Sequence, residues 1–139
     1  MSAPAALEHR SRLPFRRRPL PWSACLTAAL LCRVNPDRLT WVMRTARRGA
    51  RPARLEEARR ARSDVLSVSL ACAGQACLQR SVATALLCRA RGSWPTWIVG
   101  VQNLGQVRAH AWVCVDGRPV DEPSPLAHLV PLIEVGPTR

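Results

Sequence analysis

Two runs of alternating apolar residues, RAHAWVCV (108 to 115) and RPVDE (118 to 122), meet at Asp116-Gly117. That dipeptide is the strongest short-range signal for a two-residue hairpin, because both turn residues need positive φ and Asp-Gly accepts it. Such a turn leaves no freedom of register. Val115 faces Arg118, Trp112 faces Asp121 and His110 faces Pro123. His110 and Asp121 are then diagonal neighbours on one face with Cβ atoms roughly 7 Å apart, close enough for a carboxylate to hold an imidazole. Asp116, about 20 Å along the same strand, belongs to the turn. A three-residue loop would shift the pairing by one and bring Glu122 to the imidazole in place of Asp121.

Ahead of the hairpin, TWIVGVQ (96 to 102) has the composition of a strand. Residues 77 to 91 carry Leu78, Val82, Ala85 and Leu86 at helical spacing, and Gly92 stands where a helix stops. One helix followed by three strands predicts an α+β arrangement, a meander packed against a helix. Upstream, Cys25, Leu26, Ala29, Leu30 and Val34 recur at helical spacing. Asn35-Pro36-Asp37 ends that helix and caps another through Leu39, Trp41 and Val42. Residues 52 to 62 have Pro first, acids in the first turn and Arg in the last, which predicts a solvent-facing helix aligned with its macrodipole. Residues 1 to 20, rich in Pro and Arg without periodicity, are expected to be a disordered basic leader. The organisation is then leader (1 to 20), N-terminal helical segment (21 to 63) and core (64 to 139).

All 21 basic residues are arginines, 15 of them in residues 1 to 63 against four acids, with six against five in the remainder. A half so basic suits an acidic peptide or protein surface. The absence of interleaved aromatics or a known reading motif weighs against nucleic acid. Arg16 to Arg18 followed by WSACLTAALLC imitates a signal peptide, but the apolar run stops at Arg33 without a small-x-small cleavage site. No stretch approaches the ~20 residues that span a bilayer. The expectation is a soluble cytoplasmic protein that engages no membrane. The six cysteines, at 25, 32, 72, 77, 88 and 114, show no CxxC pairing, so reduced thiols without metal or cofactor are expected.

Cys77 opens its helix, where unpaired N–H groups and the positive end of the macrodipole favour a thiolate. Of three histidines, His9 lies in the leader and His128 in the Pro-rich tail, while His110 lies within an apolar strand. The bland alternative makes Cys77 and His110 packing residues of a non-enzymatic basic binding module. The order Cys77, His110, Asp121, with the Cys on a helix and the others on adjacent strands, is that of a papain-like or transglutaminase-like cysteine protease core. There a thiolate attacks an acyl carbon and His110 carries protons. The acyl-enzyme is released to water by a peptidase, or to an amine by an acyltransferase or related amidase. The Cys77 N–H supplies half of an oxyanion hole, and Gln75 is a candidate for the other half.

Cys77-Leu78-x-Arg80-Ser81, Leu86-Leu87, Gly92, Ala109-His110-Ala111-Trp112-Val113 and Val115-Asp116-Gly117 together resemble the transglutaminase-like leader peptidases of lasso-peptide biosynthesis, over about residues 72 to 122. The resemblance implies proteolysis of a ribosomally made precursor at its leader, with Cys77, His110 and Asp121 as the triad, followed by ring closure by a separate ATP-dependent cyclase. Residues 1 to 63 are too short for the leader-recognition domain fused in some relatives, so the split form is implied, with recognition on a separate protein. Arg80 and Ser81 also match; a solvated Arg and a helix-packed Ser are expected there. Cys114 stands where an acid is common, and GQVRA precedes His110 without the usual aromatic.

Overall fold

The structure, a computed structural model, describes residues 12–74, 76–122 and 126–138. A 3-10 turn at Phe15–Arg17 leads into helix α1, Pro19–Leu31. Of the stretch expected to be a disordered leader, residues 1–11 lie outside the described residues, and from Phe15 the chain is helical. Asn35 closes the first connection by accepting the Arg38 N–H on Oδ1 at 2.9 Å, and Pro36, with no N–H to leave orphaned, opens helix α2, Pro36–Ala46.

Helix α3, Leu55–Val68, begins after Pro52 rather than at it, with the Glu57 carboxylate accepting the Arg54 N–H at 2.9 Å. It is not solvent-facing, as its charges suggested. Ala58, Ala61, Val65 and Leu66 are buried on one face, and Arg62 and Asp64 are buried with them. A stripe of small residues lets α3 approach its neighbours closely, which draws the adjoining charged side chains inside. A single turn, α4 (Leu70–Ala73), is capped by Ser69, whose Oγ accepts the Cys72 N–H at 3.2 Å.

Helix α5, Cys77–Ala90, is the centre of the molecule. Residues 80 to 85, Leu87 and Cys88 are all buried, so it is enclosed on most sides rather than amphipathic. Gly92, at φ +93°, ends it as expected. Strands β1 (Arg51–Pro52) and β2 (Ser93–Trp94) form a two-residue parallel bridge.

The main sheet has the order β5-β4-β3-β6. Strands β3 (Thr96–Leu104) and β4 (Gln106–Val115) pair antiparallel around Gly105, φ +80°. Asp116 and Gly117, at φ +50° and +75°, make the expected two-residue turn, and β5 (Arg118–Pro119) pairs in the derived register, Val115 with Arg118 and Cys114 with Pro119. The fourth strand, β6 (Leu129–Val135), was absent from the sequence reading; it lies on the open side of β3 with a register shift at Val99/Gly100.

One continuous apolar core joins Ala24, Cys25 and Ala28 of α1, Met43 of α2 and Ala61 and Val65 of α3 to Val82 and Leu87 of α5 and Trp97, Val113 and Val135 of the sheet. Residues 21 to 63 therefore share their hydrophobic interior with the rest. The opposite face of the sheet holds a smaller cluster of Ile98, Trp112 and Cys114, covered by Leu126 and Leu129. Among the described residues, no helix is long and apolar enough to cross a membrane.

Candidate active site

Cys77 is the first residue of α5, whose opening turn contains no acid to oppose the positive end of the helix. Its thiol is half-buried and held below the ordinary range, first by a hydrogen bond with His110, then by the Ala111 backbone N–H and the charges of His110 and Arg80, with burial opposing. Arg80, one turn further along α5, is buried rather than solvated. Its Nη1 donates to the carbonyls of Cys72 at 3.1 Å and Gly74 at 3.2 Å, tying down the chain just ahead of the thiol. A charge-assisted bond of this kind fixes the direction of the carbonyls that accept it. Ser81 is helix-packed as expected: its Oγ donates to the Leu78 carbonyl at 2.9 Å and accepts the Trp97 indole N–H at 3.0 Å.

His110 sits on β4 opposite Gly100 of β3. Its ring stacks on that of Trp112, two residues along the same face, with centroids 5.8 Å apart and planes inclined by 18°. Gly100 makes the stack possible. A Cβ there would lie 2.9 Å from the Val130 carbonyl oxygen and 3.0 Å from the Trp112 ring.

The carboxylate on His110 belongs to Glu122, whose Oε2 lies 2.8 Å from Nε2. A carboxylate only accepts, so Nε2 carries the proton donated to Glu122. The Glu122 side chain is 4 % exposed and the His110 side chain 22 %. Asp121, expected in this place, instead accepts Arg59 Nε at 3.2 Å and is half exposed. The ladder explains the exchange. Its register holds as far as Val120, whose N–H donates to the Val113 carbonyl at 3.0 Å, but Asp121 turns left-handed at φ +47°. One left-handed residue reverses the alternation beyond it, so the following side chain is the one that reaches His110.

His110 is raised to about 9, by the Cys77 thiol first and by Glu122 second, while burial opposes. A lowered thiol hydrogen-bonded to a raised imidazole favours a thiolate–imidazolium pair at neutral pH, which is a nucleophile with its proton donor already beside it.

Among the other thiols, Cys72 is drawn down to about 7, chiefly by hydrogen bonding with Cys25, but it is fully buried and beyond the reach of a substrate. Cys88 and Cys114 are pushed up by burial, Cys88 to about 12. His128 is exposed, and His9 and Gln75 lie outside the described residues. Among the described residues, no group of three His, Cys, Asp or Glu side chains is placed to hold a metal ion.

A thiol at a helix start, an imidazole on the adjoining strand and a carboxylate from the next piece of chain suit acyl transfer through a thioester. The family model of the transglutaminase-like superfamily matches residues 22–134. The chain belongs to that superfamily. The transglutaminase-like match includes α1, α2 and α3 as well as α5 and the sheet, and the mixed helix and sheet architecture agrees with an α+β papain-like core. Transglutaminase-like proteins generally include cysteine peptidases and acyltransferases. No curated protein and no solved structure matched the chain.

Proposed function

We propose that this transglutaminase-like protein is a cysteine peptidase that removes the leader from a ribosomally synthesised lasso-peptide precursor, with Cys77 as nucleophile, His110 as acid and base, and Glu122 as the carboxylate that orients His110. The observation that supports this reading is the His110–Glu122 pair at 2.8 Å beside a helix-start thiol whose pKa is lowered first by His110. The narrower choice of a lasso precursor rests on the Cys77-Leu78-x-Arg80-Ser81 and Ala109-His110-Ala111-Trp112 stretches.

The Cys77 thiolate adds to the carbonyl carbon at the end of the leader, and the developing oxyanion is met by the Cys77 backbone N–H. Protonated His110 gives its proton to the departing nitrogen as the C–N bond breaks. The core peptide leaves with a free amine and the leader remains as a thioester on Cys77. Water then adds to the thioester while His110 accepts its proton, and the tetrahedral adduct collapses to free carboxylate and regenerated thiolate. Glu122 keeps the imidazole in one tautomer and stabilises its charged form. The free amine is the group an ATP-dependent cyclase would join in closing a ring. Recognition of the leader belongs to a separate protein, and the exposed arginines among residues 12 to 63 offer a basic surface to an acidic partner. The acyltransferase or amidase reading shares every step up to the thioester and differs only in what attacks it.

The test is to incubate the protein with a precursor peptide and a leader-recognition protein encoded beside it and to read product masses. Free leader and core that sum to precursor plus water, lost in Cys77→Ala, support hydrolysis. A product gaining an amine, without free leader carboxylate, contradicts it.

A further inference from the structure

Helix α3 enters the site from behind. Arg62, 4 % exposed, brings its Nη2 to 3.7 Å from Oε1 of Glu122, while Oε2 of the same carboxylate takes His110. One turn earlier on the same helix face, Arg59 Nε holds Asp121 Oδ1 at 3.2 Å and its Nη1 holds Glu56. Two arginines three apart on α3 thus meet two successive acids, Asp121 and Glu122, at the point where φ +47° turns the chain out of the hairpin.

We propose that Arg62 is a positioning residue of the candidate site: it occupies one oxygen of Glu122 so that the other points at His110, and the Arg59–Asp121 pair anchors the reversal that delivers Glu122 to it. This deepens the peptidase reading and rests on it. Among the described residues, Glu122 lies beyond the end of the hairpin ladder. The last hydrogen bond of the ladder is that of Val120, two residues earlier, and a Glu side chain has three rotatable bonds to settle. An ion pair on the far oxygen selects one carboxylate orientation. At 3.7 Å the pair acts through charge rather than a directed hydrogen bond. The charged and titratable groups that the structure places around this cluster include Cys32 after α1, Glu56, Arg59 and Arg62 from α3, Cys77 and Arg80 from α5, His110 from β4, and Asp121 and Glu122 themselves.

The experiment measures the rate of Cys77 alkylation by iodoacetamide from pH 5 to 10 in the full chain, by peptide mass mapping, with circular dichroism as the check of folding. Arg62→Gln should raise the apparent pKa of Cys77 and slow labelling at pH 7 by about tenfold, as removal of an outer group that orients a reactive side chain does elsewhere. Arg62→Lys should shift the profile in the same direction by less. Arg62→Gln combined with Glu122→Gln should label no more slowly than Glu122→Gln alone, because Arg62 acts through Glu122. A folded Arg62→Gln protein with the wild-type profile overturns the proposal, and so do losses that multiply in the double variant. Should Arg62→Gln fail to fold, Arg62→Lys alone and in Glu122→Gln replaces it: a shift that vanishes in the double variant supports the proposal, and a wild-type profile overturns it. The wild-type profile is read first: an ordinary thiol profile at Cys77 overturns the peptidase reading itself, whereas a lowered one that Arg62 does not influence overturns this inference alone.

Discussion

Glu122 Oε2 lies 2.8 Å from His110 Nε2 across a chain reversal that no regular hairpin contains. The relationship divides the two neighbouring acids sharply. Glu122 is buried against the imidazole, and Asp121 sits on the surface with Arg59. Glu122→Gln should therefore lower the rate of leader cleavage by about 10²- to 10⁴-fold, the range seen when the carboxylate behind a catalytic imidazole is lost. Asp121→Asn should stay within about fivefold, since an exposed ion pair contributes at most about 1 kcal/mol. Initial rates on one precursor compare the two directly, and a larger loss in Asp121→Asn would return the orienting role to that residue.

The opposite shifts of Cys77 and His110 give the stability a readable pH dependence. His110, raised to about 9 from an ordinary value near 6.5, contributes stability that is full below 6.5 and is lost as pH rises through 9. The lowered Cys77 thiol contributes in the opposite sense, fully above its ordinary value and less as pH falls through its folded one. In the wild type the two slopes oppose each other between pH 6.5 and 9. Cys77→Ala removes one of them and leaves the part of the His110 shift due to Glu122. Urea midpoints should then fall with rising pH in the variant and stay nearly level in the wild type.

Gly100→Ala places a methyl group against the Val130 carbonyl and the Trp112 ring, both at about 3 Å. Backbone cannot yield as a flexible side chain can, so the variant should lose roughly 1–3 kcal/mol of stability. Because Trp112 carries the His110 ring, Cys77 alkylation should slow as well. Denaturation and labelling on the same preparation test both effects.

Ser81→Ala removes the acceptor of the buried Trp97 indole N–H. An unsatisfied buried donor costs about 1–3 kcal/mol, so the thermal midpoint should drop by several degrees. Since the hydroxyl faces Trp97 and Leu78 rather than the thiol, the pH profile of Cys77 labelling should not move.

The turn chemistry of Asp116-Gly117 was legible, and the strand register followed from it because a two-residue turn admits one pairing. The same logic failed five residues later. Asp tolerates the left-handed conformation, but nothing local announces it at Asp121, whose ion-pair partner Arg59 lies about sixty residues away in α3. Glu122 had been held in reserve for a longer loop; it reaches His110 although the loop has two residues. Arg62 was concealed for a related reason. Among so many arginines it passed for a solvated one, and only the packing of Ala58 and Ala61 carries it inside. Strand β6 went unread within the Pro-rich tail, yet an edge strand tolerates the missing donor of Pro131. The helix bearing Cys77 stood out because its apolar spacing and Gly92 stop agree.

The most direct measurement is the pH dependence of iodoacetamide labelling at each of the six cysteines, in the wild type and in His110→Ala. Cys77 should react fastest, with an apparent pKa below that of an ordinary thiol, and replacing His110 should move that pKa upward. Equal labelling of the accessible thiols, or a Cys77 profile that His110→Ala leaves unchanged, would contradict an activated Cys77–His110 pair.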